Sequence, residues 1–171
     1  MLRIFLFQKS FVILLSVLIL FHGGKLYSGE AMPFHLKVVD SAGKETTLEN
    51  LRGRKVVLVV YTSSMSDCKR HLERFVTLSE DFMGEDVLFS IVDITPLGYE
   101  EFLSNLPDNK GNAIFRKDLD GNIARILDVI FLPTTFFISE EGEVLERHES
   151  LHLWDSTEFK VSVKKFIEAG S

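Results

Sequence analysis

The chain contains a single cysteine, Cys68, and that count limits the sulfur chemistry open to it. A thiol can enter a mixed disulfide, but resolving it within the same chain needs a second thiol. Neither an intramolecular disulfide nor a cysteine-rich zinc site can be built. Cys68 ends the sequence Met65-Ser66-Asp67-Cys68 and is followed by Lys69, Arg70 and His71. Ser64 and Asp67 have the Ser-x-x-Asp spacing of a helix cap, and a helix starting here would turn its free amides and dipole toward a thiolate. The three basic neighbours act in the same direction, whereas Asp67 and burial oppose it. Two readings of Cys68 follow. It is a monothiol that exchanges with an external sulfur or meets peroxide, or it is a small residue on the core face of a helix.

A second pattern is His148-Glu149-Ser150-Leu151-His152, which matches His-Glu-x-x-His, the helical zinc signature with two histidine ligands and a glutamate that activates water. Its flanks do not suit that chemistry. It follows the extended stretch Val144-Leu145 directly, Glu146 and Arg147 precede it, and Asp155 and Glu158 stand where a longer metalloprotease motif needs glycine and histidine. The expectation is a solvated loop with no metal. No cofactor site is expected either.

The elements that would position these residues can be read from periodicity. Phe34–Asp40 and Glu45–Thr47 flank the turn signal Ser41-Ala-Gly43-Lys44, which predicts an opening hairpin. Val56–Val60 and Val87–Val92 are apolar runs suited to strands covered on both faces. Between them Cys68, Leu72, Phe75, Val76 and Phe82 recur at helical spacing with charges opposite. Further on, helical stretches are expected over Tyr99–Leu106 and Asn122–Val129, and a short strand at Ile114-Phe115. Thr134–Ile138 and Val144-Leu145 should form a hairpin about Gly142. A last helix carries Phe159, Val163, Phe166 and Ile167 on one face, with Asp155 and Glu158 as its capping box. The order predicts one α/β domain with a mixed central sheet and helices on both faces.

Residues 1–31 differ from the rest. Arg3 and Lys9 precede the apolar run Phe11–Phe21, which has the length of a signal-peptide core and not the roughly 20 residues of a bilayer span. Gly29-Glu30-Ala31 offers a small-x-small cleavage site, so a signal peptide over 1–31 and a domain over 32–171 are expected. Counting the apolar run from Ile4 keeps an uncleaved anchor over residues 4–21 open. The whole chain carries a net charge of −6, and residues 32–171 alone are more acidic. With no basic stripe, nucleic acid is excluded as an expected partner.

Across residues 32–171 the chain resembles the thioredoxin superfamily, in its exported TlpA-like or redoxin-like branch. Thr47–Tyr61 looks like that branch's approach to the active-site strand. Asp120–Ile138 looks like its segment that ends in a cis-proline, here Pro133, followed by Thr134-Thr135 and an apolar strand, and Gly142 falls at its hairpin turn. The resemblance implies a thioredoxin-like fold, a location in the periplasm or at the outer face of the cytoplasmic membrane, and a site made by Met65, Ser66, Asp67 and Cys68 on one side and Leu132, Pro133 and Thr134 on the other. The family's Cys-x-x-Cys falls on Met65–Cys68, so the attacking cysteine is replaced by a thioether that cannot ionise. Its usual tryptophan is Ser64 and its occasional buried acid is Val59. In the Pro-x-x-x-Thr-x-x-Cys frame of peroxiredoxins, the proline and threonine positions hold Tyr61 and Met65. The resemblance thus implies an extracytoplasmic protein or thiol partner and two roles. One is a binding module without self-sufficient dithiol chemistry; the other is a monothiol or peroxidase-like enzyme acting through Cys68 with an external resolving thiol.

Overall fold

The computed structural model describes residues 25–64, 66–96, 98–149 and 154–169, with the backbone alone for 25–28 and 66–69. Its centre is a single sheet of β1 (Lys25–Ala31), β2 (Lys37–Asp40), β3 (Glu45–Thr47), β4 (Val56–Tyr61), β5 (Leu88–Asp93), β6 (Ala113–Lys117), β7 (Thr134–Ile138) and β8 (Glu143–Glu149). The spatial order is β1-β8-β7-β4-β5-β6-β2-β3. β4, β5 and β6 are parallel to one another, and every other pairing is antiparallel. The apolar runs of β4 and β5 occupy the middle, where every residue is buried because both faces are covered.

Helices α1 (Ser66–Asp81), α2 (Tyr99–Ser104) and α4 (Thr157–Glu168) cover one face. Leu72, Phe75, Phe102, Phe159, Val163 and Phe166 pack there on Val57, Phe89 and Phe137. The short α3 (Asn122–Ile126), a 3-10 turn at Leu48–Leu51 and the segment from Met32 to Leu36 cover the other face. Mixed sheet, two covered faces and the β2–β3 hairpin all agree with the expectation from sequence.

Three local readings change, and one stretch gains a strand. The first strand of the hairpin begins at Lys37, because the chain before it turns, with Phe34 and Leu36 amides donating to the carbonyls of Met32 and Pro33. α3 stops at Ile126 and does not reach Val129, since Asp128 takes a positive φ of 49° that ends a right-handed helix. The cap of α4 is Ser156, whose Oγ accepts from the Phe159 amide at 3.1 Å. Asp155 instead pairs with Arg74 of α1 at 3.3 Å. Finally, residues 25–31, placed in the leader by the sequence, form β1 along β8, with Lys25 opposite Arg147 and Ala31 opposite Glu143. Gly29, at φ 89°, lies within the register shift that bends this edge strand.

Among the described residues no helix is long and apolar enough to cross a membrane. The apolar run at 4–21 lies outside them.

Candidate functional site

Strand register brings the predicted site segments to one end of the sheet. Tyr61 at the end of β4 is level with Asp93 at the end of β5, which is level with Lys117 at the end of β6. Val60 is opposite Thr134, the first residue of β7, and Thr134 is opposite Glu149 near the end of β8. Thr62, Ser63 and Ser64 leave β4 here, and α1 starts at Ser66, so Cys68 is the third residue of that helix. Pro133 enters β7 at the same end, after a cis Leu132–Pro133 peptide bond. Met65 lies outside the described residues, as does His152. The side chains of Ser66, Asp67 and Cys68 lie outside them too.

Pro133 and Thr134 are buried and Leu132 is half-buried. The Thr134 hydroxyl donates to the Phe131 carbonyl at 2.6 Å. Arg147 of β8 reaches the same loop from below, donating to the carbonyls of Leu127 at 3.2 Å and Asp128 at 2.6 Å while pairing with Glu149 at 2.8 Å. The Val129 amide donates to the Ala124 carbonyl. These bonds fix the backbone that leads into Pro133. The large apolar side chains it presents to solvent are Ile130 and Phe131, 72% and 61% exposed.

The sequence reading missed the polar network beneath the loop after β4. Asp93 is fully buried. Its Oδ1 accepts from the Thr95 amide at 2.8 Å, from the Thr95 hydroxyl and, at 3.4 Å, from the Ser63 amide; its Oδ2 accepts from the Ser63 hydroxyl at 3.1 Å. The Ser63 amide also donates to Thr95 Oγ1 at 2.7 Å. Thr62 Oγ1 joins Thr95 Oγ1 at 2.9 Å and Ser64 Oγ at 2.8 Å. Lys117, also buried, donates to the Thr95 carbonyl. Burial pushes its ammonium below the ordinary lysine pKa, an effect that Asp93 and Asp118 offset in part. A buried carboxylate is retained when its lone pairs are filled. Here the filling groups come from the loop that carries the start of α1, so the network holds that loop to the sheet.

Behind α1, the Trp154 indole donates to Thr135 Oγ1 at 2.9 Å and meets Phe75 and His71 edge to face at 5.0 and 6.3 Å between ring centroids. His71 follows Cys68 by one helical turn and is buried.

The solvated-loop reading of His148 is corrected. His148 lies in β8, opposite Thr135, and is buried. Its ring stands 5.0 Å from Phe137 and 5.4 Å from Phe159, and Nε2 is 2.8 Å from a Glu146 oxygen. A residue in a strand cannot supply the helical His-Glu-x-x-His geometry. Among the described residues no cluster of His, Cys, Asp or Glu could hold a metal ion.

A family model described as AhpC/TSA matches residues 28–147. No match was found among curated proteins. Among solved structures, a Chlorobium tepidum protein described as a candidate thiol:disulfide interchange protein DsbE is 19% identical, with a TM-score of 0.68 over 85% of this chain and 98% of the other. The exposed lipoprotein thioredoxin of Streptococcus pneumoniae is 22% identical, with a TM-score of 0.58 over 77% and 97%. A secreted Mycobacterium tuberculosis disulfide oxidoreductase homologous to E. coli DsbE is 15% identical, with a TM-score of 0.61 over 80% and 96%. At these identities the likeness is one of fold, and the fold is thioredoxin-like.

Proposed function

On the premise that this chain belongs to the AhpC/TSA family within the thioredoxin superfamily, we propose that it is an exported, membrane-tethered binding module. It engages an extracytoplasmic protein at the sheet end formed by the start of α1 and the Pro133 loop, and does not carry out dithiol–disulfide oxidoreduction by itself. The observation that carries this reading is the pairing of an intact scaffold with Met65 at the position of the attacking cysteine. A thioether forms no mixed disulfide, and Cys68 has no second thiol in the chain to resolve one. The hydroxyls of Thr62, Ser63 and Thr95 and the Asp93 carboxylate bond to one another, which suits a positioning scaffold better than a nucleophilic centre.

Export is supported by the basic residues and apolar run of the leader and by two fold relatives described as secreted or as a lipoprotein. The pairing of β1 with β8 argues against cleavage after Ala31, which would strip that strand, and the apolar run from Ile4 to Phe21 is read as a retained anchor.

The test is turnover of a disulfide-bonded protein substrate with added reductant, comparing wild type with Cys68→Ser. The expected result is no turnover above background in either. Cys68-dependent turnover would replace this reading with the monothiol enzyme.

A further inference from the structure

The connector from β6 to β7, residues 118–133, begins and ends at the site end of the sheet, because Lys117 is level with Asp93 and Thr134 with Val60. Among the described residues, seven large apolar side chains are exposed, and four of them, Leu119, Ile126, Ile130 and Phe131, lie in this one connector. The loop that presents the last two is held by Arg147 and Thr134, so they are displayed on a fixed backbone. Isolated surface leucines need no explanation, but the adjacent Ile130 and Phe131, both largely exposed on a held backbone, mark a surface that something covers.

The exit of the N-terminal chain identifies the cover. β1 runs antiparallel to β8, so Lys25, opposite Arg147, stands at the same end of the sheet as Thr134, and Arg147 itself bonds the Leu127 and Asp128 carbonyls in the stretch that leads to Ile130. His22, Gly23 and Gly24 separate Lys25 from the apolar run that ends at Phe21. Even fully extended, that stretch covers roughly 15 Å at about 3.6 Å per residue. A bilayer holding the run must therefore face this end of the domain.

We infer that Ile130 and Phe131 rest in the membrane interface, so that the site end of the sheet stands toward the lipid and a protein engaged at the start of α1 and Pro133 is one that lies at the same membrane surface. This rests on the reading of residues 4–21 as a retained anchor. Apolar burial and the short tether drive the contact. Charge does not, since the connector carries Asp118, Asp120 and Asp128 against Arg125 and Lys117 is buried.

The test uses the full chain reconstituted into phosphatidylcholine vesicles that contain a quencher attached to the lipid acyl chain. In a Cys68→Ser background, an environment-sensitive fluorophore is placed at Phe131→Cys, at Ile130→Cys or at Met83→Cys. Met83 is 66% exposed and follows α1 at the opposite end of the sheet, so it serves as the control. The expected result is quenching at 130 and 131 several-fold greater than at 83, unchanged at high salt. Flotation of the chain with vesicles but equal quenching at all three sites would keep the anchor and overturn the orientation. Failure to float would overturn the anchor, and the inference with it. Protection of the 131 probe that depends on protein concentration and needs no vesicles would assign the patch to a second copy and overturn the lipid contact.

Discussion

The hydroxyl of Ser63 donates to the carboxylate of Asp93 at 3.1 Å across thirty residues of sequence, and this bond ties the loop before α1 to the neighbouring strand. The carboxylate is fully buried and lies level with the buried Lys117. Removing Asp93 takes away one of the two carboxylates, with Asp118, that offset the buried Lys117 charge, and leaves the Ser63 and Thr95 donors without their acceptor. Asp93→Ala should therefore destabilise the fold by about 3–5 kcal/mol, the usual cost of breaking a buried ionic arrangement. Lys117→Met should also destabilise it, and the double variant should lose less than the two single losses combined. Denaturant midpoints of the three variants check this; strict additivity would show that the two charges are independent.

Asp40 gives a pH signature. Its carboxyl is held below the ordinary value of 3.8, chiefly by the Lys44 amide, with the Ala42 amide and the charges of Lys44 and Arg116 assisting against desolvation. Its Oδ1 accepts from both amides at 2.9 Å. A lowered folded pKa contributes stability that is fully present above the unfolded value and is lost as pH falls through the folded one. In Asp40→Asn the turn keeps an acceptor but nothing titrates. The stability advantage of wild type over Asp40→Asn should be constant at neutral pH, shrink below about pH 4 and level off once the native carboxyl is protonated. Paired denaturation curves across that range provide the measurement.

His148 is a core residue. Enclosed by Phe137 and Phe159, it should cost about 1–3 kcal/mol when replaced by alanine, through lost packing and aromatic contact. Added zinc should not raise the melting temperature of wild type. A zinc-dependent rise that disappears in His148→Ala would contradict this.

β1 should contribute measurably to stability. Starting the chain at Met32 removes a strand and leaves β8 as an unprotected edge. At about 1 kcal/mol net per backbone bond, the chain from Met32 should be less stable than one from Lys25 by roughly 2–4 kcal/mol. Thermal unfolding of the two proteins, together with the intact mass of the exported form, tests both the strand and the expected processing boundary.

Local pattern carried the central fold. Val56–Val60 had to be covered on both faces, and Leu72, Phe75 and Val76 define one side of α1 wherever that helix packs. The pairing of Asp93 with Ser63 was not legible, because a single acid after an apolar run looks like a strand end and its partner comes from another strand's exit loop. β1 was hidden for a related reason: Lys25–Ala31 lacks alternation and adjoins the leader's apolar run, so only its pairing with β8 makes it a strand. His148 was misread as solvated because its neighbours in sequence, Arg147 and Glu149, are charged, whereas its neighbours in space are phenylalanines.

The last prediction concerns the missing sulfur. Position 65 immediately precedes α1, and Cys68 is the third residue of that helix, so Met65→Cys recreates the Cys-x-x-Cys spacing on a loop that Asp93 and Thr95 hold by the Ser63 amide and hydroxyl. Under mild oxidation the variant should form a disulfide between positions 65 and 68 that added dithiol reopens, because the Cys-x-x-Cys spacing closes a small loop at a helix start. Turnover of a disulfide-bonded substrate should appear in Met65→Cys and vanish in Met65→Cys/Cys68→Ser. It should remain modest, since Ser64 stands where the family's tryptophan would be. Adding Asp93→Ala to Met65→Cys should weaken the disulfide if the network sets the loop geometry. Mass shift after thiol alkylation reports the bond, and its absence in Met65→Cys would show that α1 and its loop do not place these two positions within disulfide reach.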